Sequence, residues 1–174
     1  MVSVGVMTWP KGRSLHGGVD EIPLPSGPGR LWLCGKHFIA PDPDAALAAV
    51  GATTAVCLSE EHELAQRYPA YVAWLRSQPP DRALWFPIPD LHAPTLATAV
   101  VLLEQLTDRL ALGQALLLHC GAGIGRAGTV AVGVLMSMGL SADDALAEVA
   151  GHRPMAGPEV GAQRDLVNAL AEHF

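Results

Sequence analysis

The chain reads as an α/β domain: a central, mostly parallel sheet of four or five strands with helices on both faces. Three observations predict this. Short apolar segments alternate with helix-length segments from residue 31 to residue 170, the pattern of successive strand–helix units. Residues 115–118, Ala-Leu-Leu-Leu, are apolar without alternation, as a strand covered on both faces must be. Hydrophobic residues make up 50% of the 174 and charged residues 16%, which excludes a disordered chain and suffices for one core.

The elements follow in order. Residues 1–30 are loose in composition, with glycine at 12, 17, 18, 27 and 29 and proline at 23, 25 and 28. Ser26-Gly27-Pro28-Gly29 reads as a turn between residues 19–24 and 31–35, which predicts a hairpin at the sheet edge. We therefore expect 1–30 to be an N-terminal extension of the same domain, with 31–174 as its main body. Asp42 and Pro43 are the N-cap and first position of a helix over 43–50, which Gly51 ends. A strand is expected at 53–58, then helical segments at 60–67 and 70–76 split by Pro69. Pro79-Pro80-Asp81 turns the chain into a strand at 83–88. Leu96, Ala99, Val100, Leu103, Leu106 and Leu110 share one face of a helix. The strand at 115–118 precedes a helix at 127–138 that is apolar nearly all round and hence buried. Ser141 with Asp144 predicts a capping box for a helix to 150, and a last helix spans about 159–170.

Lys plus Arg is 11 against 17 for Asp plus Glu, a net charge of −6. Such a chain has no global attraction for nucleic acid or an anionic membrane, so neither is an expected partner. Three cysteines, with no Cys-x-x-Cys pair and no His/Cys cluster at zinc spacing, form no disulfide framework or metal site. A reducing compartment, the cytoplasm, is expected. Residues 1–10 lack the basic and long apolar regions of a secretory signal, and no apolar run approaches the about 20 residues a bilayer requires.

One segment concentrates chemistry. Residues 116–129 read Leu-Leu-Leu-His-Cys-Gly-Ala-Gly-Ile-Gly-Arg-Ala-Gly-Thr: a buried strand, a glycine loop and a buried helix. Gly121, Gly123 and Gly125 permit sharp backbone turns, so successive N–H groups can converge on one anion. The helix N-terminus adds partial positive charge, and Arg126 offers two parallel donors to a phosphate. Cys120 lies at the base of this cradle, where the same field favours a thiolate.

His119-Cys120, five residues and Arg126 resemble the signature of the cysteine-based protein tyrosine phosphatases, in particular the small dual-specificity phosphatases. Residues 29–35, Gly-Arg-Leu-Trp-Leu-Cys-Gly, are similar to that group's first core strand, and 86–90, Phe-Pro-Ile-Pro-Asp, to its general-acid loop. Arg153-Pro154 and Gln163 are similar to the segment that follows its phosphate loop. The resemblance implies a fold of the phosphotyrosine protein phosphatase II type. It implies attack of Cys120 on phosphorus to give a cysteinyl-phosphate, with Arg126 and the loop amides holding the equatorial oxygens. Asp90 is then acid toward the leaving group and base toward water. His119, Gly121, Ala122, Gly123, Ile124, Gly125, Ala127 and Gln163 complete the implied substrate-binding set, with Gln163 near the attacking water. No metal or cofactor is implied. The partner is a phosphorylated protein or peptide, phosphotyrosine first; oligomeric state is not legible.

One position departs from the family. The residue after the arginine is usually Ser or Thr, whose hydroxyl stabilises the cysteine sulfur as a leaving group; here it is Ala127, with Thr129 the next hydroxyl. Slow breakdown of the phosphoenzyme is expected. An alternative reading is a catalytically weak phosphate-binding or adaptor domain. Another is a phosphatase of phosphoinositides or RNA 5′-phosphates, although residues 121–125 carry no lysine for a multiply charged head group and Lys11, Arg13, Lys36 and Arg153 make a sparse rim. Sulfur transfer or arsenate reduction would use the same thiol, the latter with a resolving cysteine near the loop; Cys34 and Cys57 belong to other strands. Both read as core residues. His92, two residues from Asp90, reads as a solvated loop residue. The tryptophans read as packing, with Trp9 the one placed to fold over a cleft.

Overall fold

The computed structural model describes residues 13–174. Trp9 and Lys11 lie outside the described residues. The strands are β1 (Val19–Ile22), β2 (Arg30–Gly35), β3 (Thr54–Cys57), β4 (Ala83–Trp85) and β5 (Ala115–Cys120). Across the sheet they lie in the order β1-β2-β5-β3-β4. β1 runs antiparallel to β2, closing the expected edge hairpin, and the other pairings are parallel.

The helices are α1 (Lys36–Ile39), α2 (Pro43–Val50), α3 (Glu61–Leu64), α4 (Pro69–Ser77), α5 (Leu96–Ala111), α6 (Gly125–Ser137), α7 (Ala142–His152) and α8 (Gly161–His173), and residues 13–16 are also helical. Local chemistry sets several ends. Asp42 Oδ1 accepts the Ala45 N–H at 3.1 Å ahead of Pro43, and Gly51 closes α2 in the left-handed conformation, φ 66°. Thr95 caps α5 through the Thr98 N–H, and Ser141 caps α7 through the Asp144 N–H. The cap at Ser141 works from that one side; the glutamate that reaches back to its N-cap is Glu63, which accepts the Glu60 N–H at 2.8 Å.

Some expected boundaries move. The strand expected at 83–88 ends at Trp85, because Pro87 and Pro89 cannot donate to a ladder. The Phe86 and Ile88 N–H groups still reach Cys57 O and Leu58 O, at 2.8 and 2.9 Å, and hold this segment beside β3. The helix expected at 60–67 is one turn, α3, and α1 was not expected at all.

Each face of the sheet carries its own core. Ile39, Ala46, Leu47, Leu64, Tyr71, Val72 and Leu75, from α1 to α4, pack on Cys34, Ala55, Cys57 and Leu117. α5 to α8 cover the opposite face, where Leu33, Val56, Leu116 and Leu118 meet Leu103, Leu106, Val130, Val134, Val149 and Val167. The chain changes face between β4 and β5, so the loop leaving the carboxyl end of β5 opens at a topological switch point, where ligands of open α/β sheets bind. Trp85 donates to Ser59 O and Trp74 to Asp44, and Arg30 lies over Trp32, so these three rings pack within the fold.

Candidate active site

Alternation along β5 divides its last two residues. Leu116, Leu118 and Cys120 face the α5–α8 side; Leu117 and His119 face the other. Cys120 is 3% exposed at the strand end, whereas His119 is fully buried against Tyr71, whose hydroxyl lies 2.6 Å from His119 Nε2. His119 Nδ1 lies 3.2 Å from Cys120 O. The His119 ring thus lies on the far side of the sheet from Cys120, packed on Tyr71.

Peptide planarity fixes what the loop presents. In a trans peptide the C=O of one residue points opposite to the N–H of the next. Gly121 O accepts from Lys36 N at 2.9 Å, and Ala122 O and Gly123 O accept from Arg153 Nη2 and Nε at 2.9 and 2.7 Å. Ile124 O accepts from Gly128 N and Gly157 N. Four successive carbonyls are thus turned outward, and the N–H groups of Ala122, Gly123, Ile124 and Gly125 turn inward, with no acceptor for them among the described residues. α6, buried over residues 125–136, starts at Ile124 with no side-chain cap, so its first donors share that need. A buried helix start without a cap calls for a ligand, and an anion satisfies it. Gly123 takes φ 73°, and a Cβ there would lie 2.2 Å from Cys34 O, so the loop rests directly on β2.

Arg126 reaches over the loop with its side chain 3% exposed. Nη1 and Nη2 each donate to Glu63 at 2.7 Å, and Nη1 also donates to Ile88 O at 2.8 Å. Nη2 lies 3.3 Å from Asp90 Oδ1. The fork of Nη1 and Nη2 is therefore taken by Glu63, Nε has no acceptor among the described residues, and Asp90 stands beside Nη2. Burial pushes the Glu63 carboxyl up, but the hydrogen bonds and charge of Arg126 outweigh it and hold the acid below its ordinary value. Lys36 Nζ donates to Glu63 O at 3.1 Å and fixes this turn. Glu63 was not singled out in the sequence; its one signal was a glutamate in the first turn of a helix, which reads as capping.

The acid segment is an exposed turn. Asp90 is 69% exposed, Leu91 takes φ 62°, and His92 Nδ1 lies 2.7 Å from Asp90 O. Gln163 is 1% exposed: its Oε1 accepts the Glu159 N–H at 2.8 Å and its Nε2 donates to His92 O at 3.3 Å. Its amide ties α8 to the segment that carries Asp90. Ala127 is fully buried, and Thr129 Oγ1 donates to Gly125 O at 2.7 Å, so Thr129 does not supply the missing hydroxyl.

The Swiss Army Knife DSP-PTPase phosphatase domain family matches residues 30–170. This chain belongs to that family of dual-specificity-type, cysteine-based phosphatases. Among solved structures, the active form of Tk-PTP shares 31% identity over 86% of this chain and 95% of its own, with a TM-score of 0.67. Kinase associated phosphatase carrying a serine in place of its catalytic-site cysteine shares the fold at 20% identity, covering 90% of this chain and 97% of its own, with a TM-score of 0.73. PTPMT1 in complex with PI(5)P does so at 16%, covering 82% and 90%, with a TM-score of 0.62. No curated protein matches the sequence.

In this phosphatase Cys34 and Cys57 flank the strand that carries Cys120: both pair in register with His119, one residue from Cys120. Sequence placed them on other strands without revealing that β5 inserts between these two. Burial pushes both thiols up, Cys57 to about 12, so neither is an anion near neutral pH. No group of three or more His, Cys, Asp or Glu among the described residues is arranged to hold a metal, and no helix there is long and apolar enough to cross a membrane.

His119 gives the phosphatase a pH-dependent stability. Burial lowers its pKa from 6.5 to about 4, so the unfolded chain binds more protons between these values. Stability is full above about pH 6.5 and falls as pH drops toward 4. We expect a loss of about 2 kcal/mol between pH 7.5 and 5 from this group. Urea melts at the two pH values check it; His37, also lowered by burial, adds a smaller slope, and His119→Asn removes the larger share.

Proposed function

We propose that Cys120, Arg126 and Asp90 carry phosphomonoester hydrolysis through a cysteinyl-phosphate, most readily on phosphotyrosine in proteins, with phosphoserine and phosphothreonine as further substrates. The outward-pinned carbonyls of residues 121–124, with Cys120 beneath the freed amides, carry this reading. The Cys120 thiolate attacks phosphorus in line, and the Nε edge of Arg126 and the loop N–H groups take the equatorial oxygens as charge builds. Asp90, displaced from Arg126 by the incoming phosphoryl group, donates its proton to the leaving oxygen and then receives one from water.

A protein substrate is favoured over a multiply charged head group by the charges at the rim. Lys36 is tied by one hydrogen bond to the Glu63 backbone carbonyl, Arg13 and Arg153 share Asp20, and Glu159 stands beside Gly125, which leaves little positive charge for a head group of several phosphates. Exposed Leu91 beside Asp90 offers an apolar contact for an aromatic leaving group. The cytoplasm is the proposed compartment, supported by three free, buried cysteines. Residues 13–30 are read as part of the same domain, supported by the pairing of β1 with β2; residues 1–12 lie outside the described residues.

Initial rates on a phosphotyrosine peptide, PI(5)P and a 5′-phosphorylated RNA test the substrate class. The peptide is expected to lead by at least tenfold in kcat/KM, a difference of about 1.4 kcal/mol in transition-state binding; a lead for either of the others overturns the protein reading. Ala127 makes phosphoenzyme breakdown slow. Rapid-quench experiments are expected to show a burst of product before steady turnover, and Ala127→Ser to raise the steady rate about tenfold, the value of one charge-assisted hydrogen bond.

A further inference from the structure

Two of the four outward loop carbonyls, those of Ala122 and Gly123, are held by one side chain from outside the loop. Arg153, buried just after α7, uses four donors: Nε to Gly123 O at 2.7 Å, Nη2 to Ala122 O at 2.9 Å, and Nη1 to Gly18 O at 3.3 Å and to Asp20 Oδ2 at 2.7 Å. Asp20, 8% exposed on β1, receives Arg13 Nη2 on its other oxygen at 2.6 Å. Two arginines and one carboxylate thus join the edge hairpin, the end of α7 and the phosphate loop. The peptides that Arg153 grips are the ones glycine leaves free to turn over, because Gly123 tolerates either sign of φ. A turned peptide would aim a carbonyl oxygen, not an N–H, at the bound anion. A buried guanidinium without a carboxylate is costly, so the contact with Asp20 is what lets Arg153 lie buried beside the loop.

We propose that Asp20 and Arg153 are positioning residues for phosphoryl transfer. Asp20 holds Arg153, and Arg153 holds the Ala122 and Gly123 carbonyls outward, so that the Gly123 and Ile124 N–H groups face the phosphoryl oxygens. The inference rests on the reading of this loop as the phosphoryl site. It assigns a role to Asp20 on the edge hairpin.

The test uses the full chain with Asp20→Asn, Arg153→Lys and, as control, Glu21→Gln, which breaks the exposed Glu21–Arg30 pair on the same hairpin. Each is assayed at a temperature where circular dichroism shows it fully folded. Asp20→Asn is expected to raise the inhibition constant of tungstate and lower kcat/KM for p-nitrophenyl phosphate, each roughly 10–100-fold. Arg153→Lys, which keeps the cation and loses the fork, is expected to move both the same way, and Glu21→Gln to move neither. Tungstate is expected to shift the Gly123 and Ile124 amide resonances of the wild type far more than those of Asp20→Asn. A pair that only staples the fold would lower Tm and leave these readouts unchanged; that result in either folded variant overturns the proposal. A wild type that neither binds tungstate nor hydrolyses the ester overturns the functional reading as well.

Discussion

Cys120→Ser is expected to abolish hydrolysis of p-nitrophenyl phosphate, with kcat/KM falling about 10⁴-fold or more, while tungstate still binds. A serine hydroxyl fits where the thiol sits, at the end of β5 under the loop, so the cradle survives. It cannot act, because an alcohol needs a base to take its proton. The nearest imidazole, His119, faces the opposite side of the sheet and is engaged by Tyr71. Asp90 is turned toward Arg126 and Leu91 N, not toward the strand end. Steady-state kinetics with calorimetric tungstate titration separates the two effects. Retained hydrolysis would show that the thiol is not the nucleophile; lost tungstate binding would show that the cradle depends on the sulfur.

Arg126→Lys is expected to lower kcat about 10³-fold and also to destabilise the fold, by about 1–3 kcal/mol. The two losses have different origins. Activity falls because an ammonium cannot offer the planar edge of Nε and Nη2 to two phosphoryl oxygens. Stability falls because Glu63, 13% exposed, loses a bidentate partner and Ile88 O loses its donor. Adding Glu63→Gln to Arg126→Lys removes the stranded charge and is expected to restore much of the stability and none of the rate. Urea melts and p-nitrophenyl phosphate kinetics on the single and double variants check both arms. Parallel recovery of rate and stability would mean that Arg126 serves only to hold Glu63.

The residues of this machinery were legible in the sequence to unequal degrees. The glycine loop, Cys120 and Arg126 lie within seven residues, and β5 and α6 on either side are apolar enough to announce themselves. Asp90 was legible through the resemblance of its segment, not through its own chemistry. Glu63, Asp20 and Arg153 act through pairs separated by 63 and 133 positions, and no local pattern marks such partners. α1 has four residues and no period to detect. The side of the sheet on which His119 lies was legible as well: alternation from Leu116 already puts it and Cys120 on opposite faces. Gln163 was found by resemblance, but its burial and both its hydrogen bonds depend on how α8 meets the acid segment.

The two halves of this chemistry rest on ground of unequal firmness. β5 lies between two parallel neighbours, with every residue from Ala115 to Cys120 buried. Its amides exchange hydrogen with solvent only when the whole domain opens. The stretch from Pro87 to Thr95 has three prolines that give no N–H, a left-handed leucine and no ladder of its own, so it is expected to open at a lower free energy than β5. Heat or mild denaturant will therefore strip the acid from the nucleophile first, leaving a chain that still accepts a phosphoryl group from an activated donor but has lost the means to transfer it from an unactivated one.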